Sequence, residues 1–246
     1  MWDRKELKAR GKAAFKANYW KSVLVALILL VFIGGGLSSV SSGARSGLNG
    51  GNPVSQTQDL EEDMNELQEA MSGLTSAQAA AVTGIVAGAV LIGCLVGFAL
   101  DVFVINPLSV GCNNFFLVNT REPAALDTLS RGFKPSYGNV VKTMLITDIF
   151  LLLWGLLFVI PAIIKSYSYR MVPYILADHP ELGGTEVITM SRNMMNGHKW
   201  RAFVLDLSFI GWHLLTALTL GILGIFYVGP YVCCTNAELY VALKNQ

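Results

Sequence analysis

Five runs of apolar positions dominate the chain, at 21–40, 77–105, 140–160, 200–220 and 222–243. Each is long enough for the roughly 17–25 residues that a helix needs to cross the hydrocarbon core of a bilayer. A sixth stretch, 161–177, reads "PAIIKSYSYRMVPYILA" and carries Lys165 and Arg170 among its apolar residues. Proline suits the first turn of such a helix, where a missing N–H is harmless, and Pro173 predicts a kink near its other end.

The polar stretches between these runs have helical periodicity of their own. In 185–196, Val187, Met190, Ser191 and Met194 share one face, with Arg192, Asn193 and Asn196 opposite and Gly197 as the C-terminal stop. The segment 41–76 divides into a Gly/Ser-rich linker and an acidic helix at 57–71, with Leu60, Met64, Leu67 and Met71 on one face.

Charge decides how the runs are threaded. Lys and Arg collect in cytoplasmic segments, and 41–76 holds one basic residue, Arg45, beside six acidic ones from Asp59 to Glu69. That loop is expected outside and the N-terminus inside. The first run follows a basic stretch as a signal peptide would, but that stretch is long and ends in "NYWK", an interfacial anchor, so it is kept as a span.

If 161–177 crosses, Arg45 stands outside and Lys165 and Arg170 in the membrane, leaving fifteen of the 18 Lys and Arg in cytoplasmic segments. If it does not, Arg192, Lys199 and Arg201 all face outward. The expectation is therefore an all-α membrane protein: a six-span helical bundle, multi-pass in the plasma membrane, with both termini cytoplasmic.

An internal likeness refines this picture. "VFVINPLSVGCNNFFLV", "LFVIPAIIKSYSYRMV" and "IFYVGPYVCCTNAELYV" share an aromatic, short apolar residues and a proline, while "TLSRGFK" resembles "TMSRNMMNGHK" upstream. Three parallel helical-hairpin repeats, each preceded by a cytoplasmic amphipathic helix, are expected.

Composition agrees with the class. Charged residues are 14% of the 246 and mean hydropathy is +0.50, against roughly 25% charged in soluble domains. The net charge of +1 adds little. Four cysteines in or beside apolar runs read as small packing residues rather than a disulfide framework.

Ionisable groups inside apolar runs are the candidates for function. Asp148 and Arg170 lie at similar depth in antiparallel neighbours and are expected to pair. Asp206 and Glu238 fall at the same depth, completing an intramembrane polar cluster that is either a structural clamp or the floor of a relay or cavity.

Trp20, Lys199, Trp200 and Tyr174 read as interfacial anchors. Gly84, Gly88, Gly93 and Gly97 give two GxxxG spacings for close helix packing. His198 has no second His or carboxylate at ligand spacing, and His213, alone in an apolar helix, reads as a hydrogen-bonder within the bundle, so no metal site is expected. No nucleophile elbow, phosphate loop or nucleic-acid module is present, and neither catalytic residues nor a cofactor is expected.

Beyond this, "FVIPAIIKSYSYRMVPYILADHPE", "SRNMMNGHKW", "LSFIGWHLL" and "RGFKPSYGNVV" resemble an uncharacterised bacterial integral membrane family, a domain of unknown function of about this length. The likeness runs from about Pro107 to Leu243. It implies a polytopic inner-membrane protein without a settled activity or ligand. A distant similarity to membrane domains found beside glycerophosphodiesterases keeps lipid-related roles open.

The functional expectation is a non-catalytic scaffold or accessory protein in the lipid bilayer. It would contact a protein partner through 57–71 or 185–196, or a second copy of itself. The alternative is a small permease or lipid-handling protein working through the polar cluster.

Overall fold

The computed structural model describes residues 2–32, 76–134 and 136–246. The acidic helix expected at 57–71, the Gly/Ser linker and the end of the first run lie outside the described residues. Among the described residues the chain is helical throughout, in two units. One comprises residues 1–34 and 101–246, the other residues 35–100.

The described part of the second unit is one helix, α3 (Ser76–Leu100), whose branched side chains are exposed. In the first unit, α1 (Arg4–Ala17) is followed by α2 (Tyr19–Phe32). A π-helical turn (Asp101–Ile105) leads into α4 (Asn106–Asn119), and a 3-10 helix covers Leu126–Phe133. Then come α5 (Tyr137–Leu157), α6 (Val159–Tyr169), α7 (Val172–Asp178), α8 (Gly184–Met194), α9 (Lys199–Leu207) and α10 (Ile210–Leu218). A second π-helical turn (Gly224–Val228) opens α11 (Gly229–Lys244).

Among the described residues three stretches are long and apolar enough to cross a membrane: Ala80–Asn119, Tyr137–Leu157 and Lys199–Leu218. The pair α1 and α2, bent by 106°, makes a fourth at most. The expected second run, 77–105, continues as helix to Asn119. The stretch 161–177 is two short helices broken at Arg170 and Met171, and 222–243 is a π turn followed by α11.

α1 shows how sequence sets packing. Asp3 caps it, accepting from the Glu6 N–H at 3.3 Å, while Glu6 in the first turn and Lys16 in the last complement the helix dipole. Its one apolar stripe, Leu7, Gly11 and Phe15, is buried. That stripe lies along α11 and the π turn before it: Arg10 bonds Glu238, a Cβ on Gly11 would come within 2.9 Å of the Thr235 backbone, and Phe15 meets the Tyr227 ring edge-to-face at 5.6 Å. The numbering rises on one helix as it falls on the other, so α1 and α11 run antiparallel.

α4 is the centre of the core, with Val110, Cys112, Phe115 and Phe116 fully enclosed. Glycines let the 3-10 helix close on it. A Cβ on Gly111 would stand 2.0 Å from the Leu129 carbonyl oxygen, and one on Gly132 1.8 Å from that of Pro107. Asn18 donates to Asn119 Oδ1 and to the Ala124 carbonyl, both at 2.9 Å, pinning the α1–α2 junction to the end of α4.

Candidate functional site

Of the polar groups in the apolar helices, Asp148, Asp206 and Glu238 lie within helices and Arg170 lies at a break. Arg170 sits where α6 gives way to α7 and reaches across to α9. Its Nη1 donates to Asp206 Oδ2 at 2.7 Å and its Nη2 to Asp206 Oδ1 at 2.8 Å, a two-pronged pair. Nη2 also donates to Asn236 Oδ1 on α11 at 2.8 Å, and the Tyr167 hydroxyl donates to Asp206 Oδ2 at 2.8 Å. Three elements are thus tied together by one guanidinium.

Asp148, expected to pair with Arg170, is held elsewhere. Asn106 Nδ2 donates to its Oδ2 at 2.7 Å, joining α4 to α5. Equal depth on antiparallel helices fixes height but not rotation about the helix axis. Here α6 packs against α9, which turns Arg170 towards Asp206. Glu238, 4% exposed, is held by Arg10 through Nε at 2.9 Å and Nη2 at 2.7 Å. The expected cluster therefore resolves into three links: Arg170 with Asp206 and Asn236, Asp148 with Asn106, and Glu238 with Arg10.

Asn106, Asn236 and Arg10 were not read as site residues from sequence. Asn236, a polar group inside the run 222–243, carried a signal, and Asn106 stands just past the end of the run 77–105. Arg10 carried none, being one of several cations on α1.

The anchors divide. Trp20 and Trp200 are exposed at the starts of α2 and α9, with Trp200 stacked on Phe203 at 5.2 Å and Lys199 beside it. Tyr174 is no anchor: it is buried, because α7 packs against α4 and its ring stacks on Tyr240 at 5.7 Å. A Cβ at Gly84, Gly88, Gly93 or Gly97 would meet nothing within 4 Å among the described residues.

Among the described residues, two clefts stand out. One, of about 500 Å³, is lined by Arg121, Glu122, Asp127, Arg131, Lys134 and Asp178 among others. Asp178 accepts from Lys244 and Tyr240. Burial pushes its carboxyl up, but those two hydrogen bonds, with the Lys244 and His179 charges, outweigh it and hold the group below its ordinary value. The other cleft, of about 160 Å³, lies between α1 and the end of α11. Neither cleft is lined by Asp148, Arg170, Asp206 or Glu238. Among the described residues no group of three His, Cys, Asp or Glu is placed to hold a metal ion.

Residues 75–246 match the model of a family described as "Protein of unknown function (DUF975)". No curated protein and no solved structure matches the chain.

Proposed function

The chain belongs to that family, and we propose that it is a non-catalytic membrane scaffold or accessory protein. The observation that carries this reading is the engagement of the polar cluster. Asp148, Arg170, Asp206 and Glu238 are each satisfied by side chains of another element at 2.9 Å or less. A carrier needs such groups to face a water-filled path, and neither cleft reaches them. Groups so arranged clamp helices.

In this reading the chain forms three hairpin units led by amphipathic segments. Both termini lie on the cytoplasmic side of the plasma membrane, and 57–71 and 185–196 meet the partner. The test is extraction in native lipid with a membrane-scaffolding polymer, followed by mass spectrometry. A stoichiometric protein that disappears on deleting 57–71 or 185–196 is the expected result. A specific lipid or small molecule instead, lost on Arg170→Met, would replace the scaffold by the permease or lipid-handling alternative.

A further inference from the structure

Two hairpins carry much of the exposed apolar surface of the first unit. One turns at Phe158 between α5 and α6, the other at Leu220 and Gly221 between α10 and the second π turn. Leu156 is 83% exposed, Ile160 72%, Leu218 80% and Leu220 92%. There is no Asp, Glu, Lys or Arg from 149 to 164, nor from 207 to 237.

Turns that meet water are built from Gly, Asn, Asp, Ser and Pro. These read Gly-Leu-Leu-Phe-Val-Ile and Leu-Thr-Leu-Gly-Ile. Leu220 holds a φ of 50°, a left-handed conformation uncommon outside glycine and asparagine. The backbone at the second tip is satisfied from within: Leu220 N–H bonds the Ala217 carbonyl, Gly221 N–H that of Thr216, and Ile222 N–H that of Thr219. Leu223 N–H bonds the Thr219 hydroxyl. Internal satisfaction is what hydrocarbon demands of a chain that turns inside it.

The bases of the hairpins are marked by charge. Lys165 lies seven residues beyond Phe158, with Nζ 4.6 Å from the centre of the Trp154 ring. α6 packs there against α8 and α9, whose Arg192 and Lys199 cations repel Lys165. On the second hairpin, Lys8 donates to the Ser208 hydroxyl at 3.2 Å and sits 4.2 Å from the centre of the Phe209 ring. Tyr227, seven residues beyond Leu220, packs on Phe15, which is flanked along α1 by the exposed Lys12 and Lys16.

Lys165 and Tyr227 each stand about 10 Å of helix from their tips, Trp154 about 6 Å and Phe209 about 17 Å. The hydrocarbon core is about 30 Å thick. Beyond Tyr227, α11 runs antiparallel to α1, whose exposed cations belong in water or among headgroups, so α11 does not supply the missing length.

We propose that both hairpins are half-bilayer insertions: they enter from the side of the folded body, end among the acyl chains of the adjoining leaflet and return. The occupant of the exposed surface is that leaflet's hydrocarbon. The collar of Lys8, Lys165, Arg192 and Lys199 fits the phosphates above it, with Trp154 and Trp200 at the boundary. Of the six crossings expected from sequence, only those through α2 and α3 then remain. The inference does not depend on the scaffold reading, because a carrier could be anchored in the same way.

The test places a fluorescent non-natural amino acid at Leu156 or Leu220 in the full chain, reconstituted in vesicles of phosphatidylcholine and phosphatidylglycerol. Two positions guard against one variant failing to fold. Lipids with a nitroxide at mid-chain should quench both positions at least about twofold more than lipids with one at the headgroup, and aqueous iodide should quench neither from either face. Quenching by iodide on the face opposite the body would overturn the proposal in favour of full crossings. Weak lipid quenching with cross-links between copies at these positions would overturn it in favour of a dimer interface.

Discussion

Arg170 holds both oxygens of Asp206 and the side-chain oxygen of Asn236, so its removal takes a donor from partners on two helices and leaves Asp206 only the Tyr167 hydroxyl. Breaking a fully buried ion pair costs roughly 3–5 kcal/mol. The Arg170 side chain is 18% exposed and that of Asp206 36%, so screening reduces the expected loss for Arg170→Met to about 1–3 kcal/mol. A double-mutant cycle of Arg170→Met with Asp206→Asn should show coupling above about 1 kcal/mol, and one with Asp148→Asn coupling near zero. Thermal unfolding in detergent reads both. Coupling to Asp148 in place of Asp206 would return the cluster to its expected form. Which acids and cations belong to the helices was legible in the chain; which acid Arg170 meets was not, because the choice rests on helix rotation set by α6 packing on α9.

A second residue gives a pH signature. Asp178 sits at the end of α7 with its carboxyl held below the ordinary value of 3.8. A depressed carboxylate contributes stability that is present above its unfolded pKa and is lost as pH falls through the folded value. Acid unfolding of the native chain should therefore include a component below about pH 3.8 that Asp178→Asn lacks. An unchanged acid profile in the variant would mean that the contacts with Lys244 and Tyr240 do not form.

Among the elements, the 3-10 helix is the most exacting. Its approach to α4 leaves no room for a Cβ at Gly111 or Gly132, and the atoms in the way are backbone, which cannot swing aside. Gly132→Ala should destabilise by about 1–3 kcal/mol, as overpacking does, and should hasten proteolysis at Arg131. Gly84→Ala, on α3, should leave unfolding unchanged within about 0.5 kcal/mol, as surface substitutions away from such contacts do. The two glycine classes look alike in sequence. The GxxxG spacing on α3 drew notice because it is periodic, whereas "SRGFK" contains a glycine whose use depends on a carbonyl of α4 more than twenty residues away. Elements with a pattern of their own were readable, namely α1, α5 and α8. The break at Arg170 and Met171 was readable only as a kink at Pro173, which stands in the first turn of α7; its exact place was not.

For the molecule as a whole, two kinds of apolar surface are distinguished by their neighbours. The side chains of α4, α7 and much of α11 are covered by protein, whereas those from Leu152 to Ile164 and from Ile210 to Phe226 are largely uncovered. Hydropathy alone scores both as membrane, which is why 222–243 read as one span although its second half lies against charged α1. Hydrogen exchange separates the two kinds. Amides of α4 and α11 should exchange slowly and alike in detergent and in lipid vesicles, because their protection comes from protein packing. Amides around Phe158 and Leu220 should be protected strongly only in lipid, with at least tenfold faster exchange in short-chain detergent. Equal protection at the tips in both media would mean that protein covers them; loss of protection in α11 on moving to detergent would mean that its stability, too, is supplied by the bilayer.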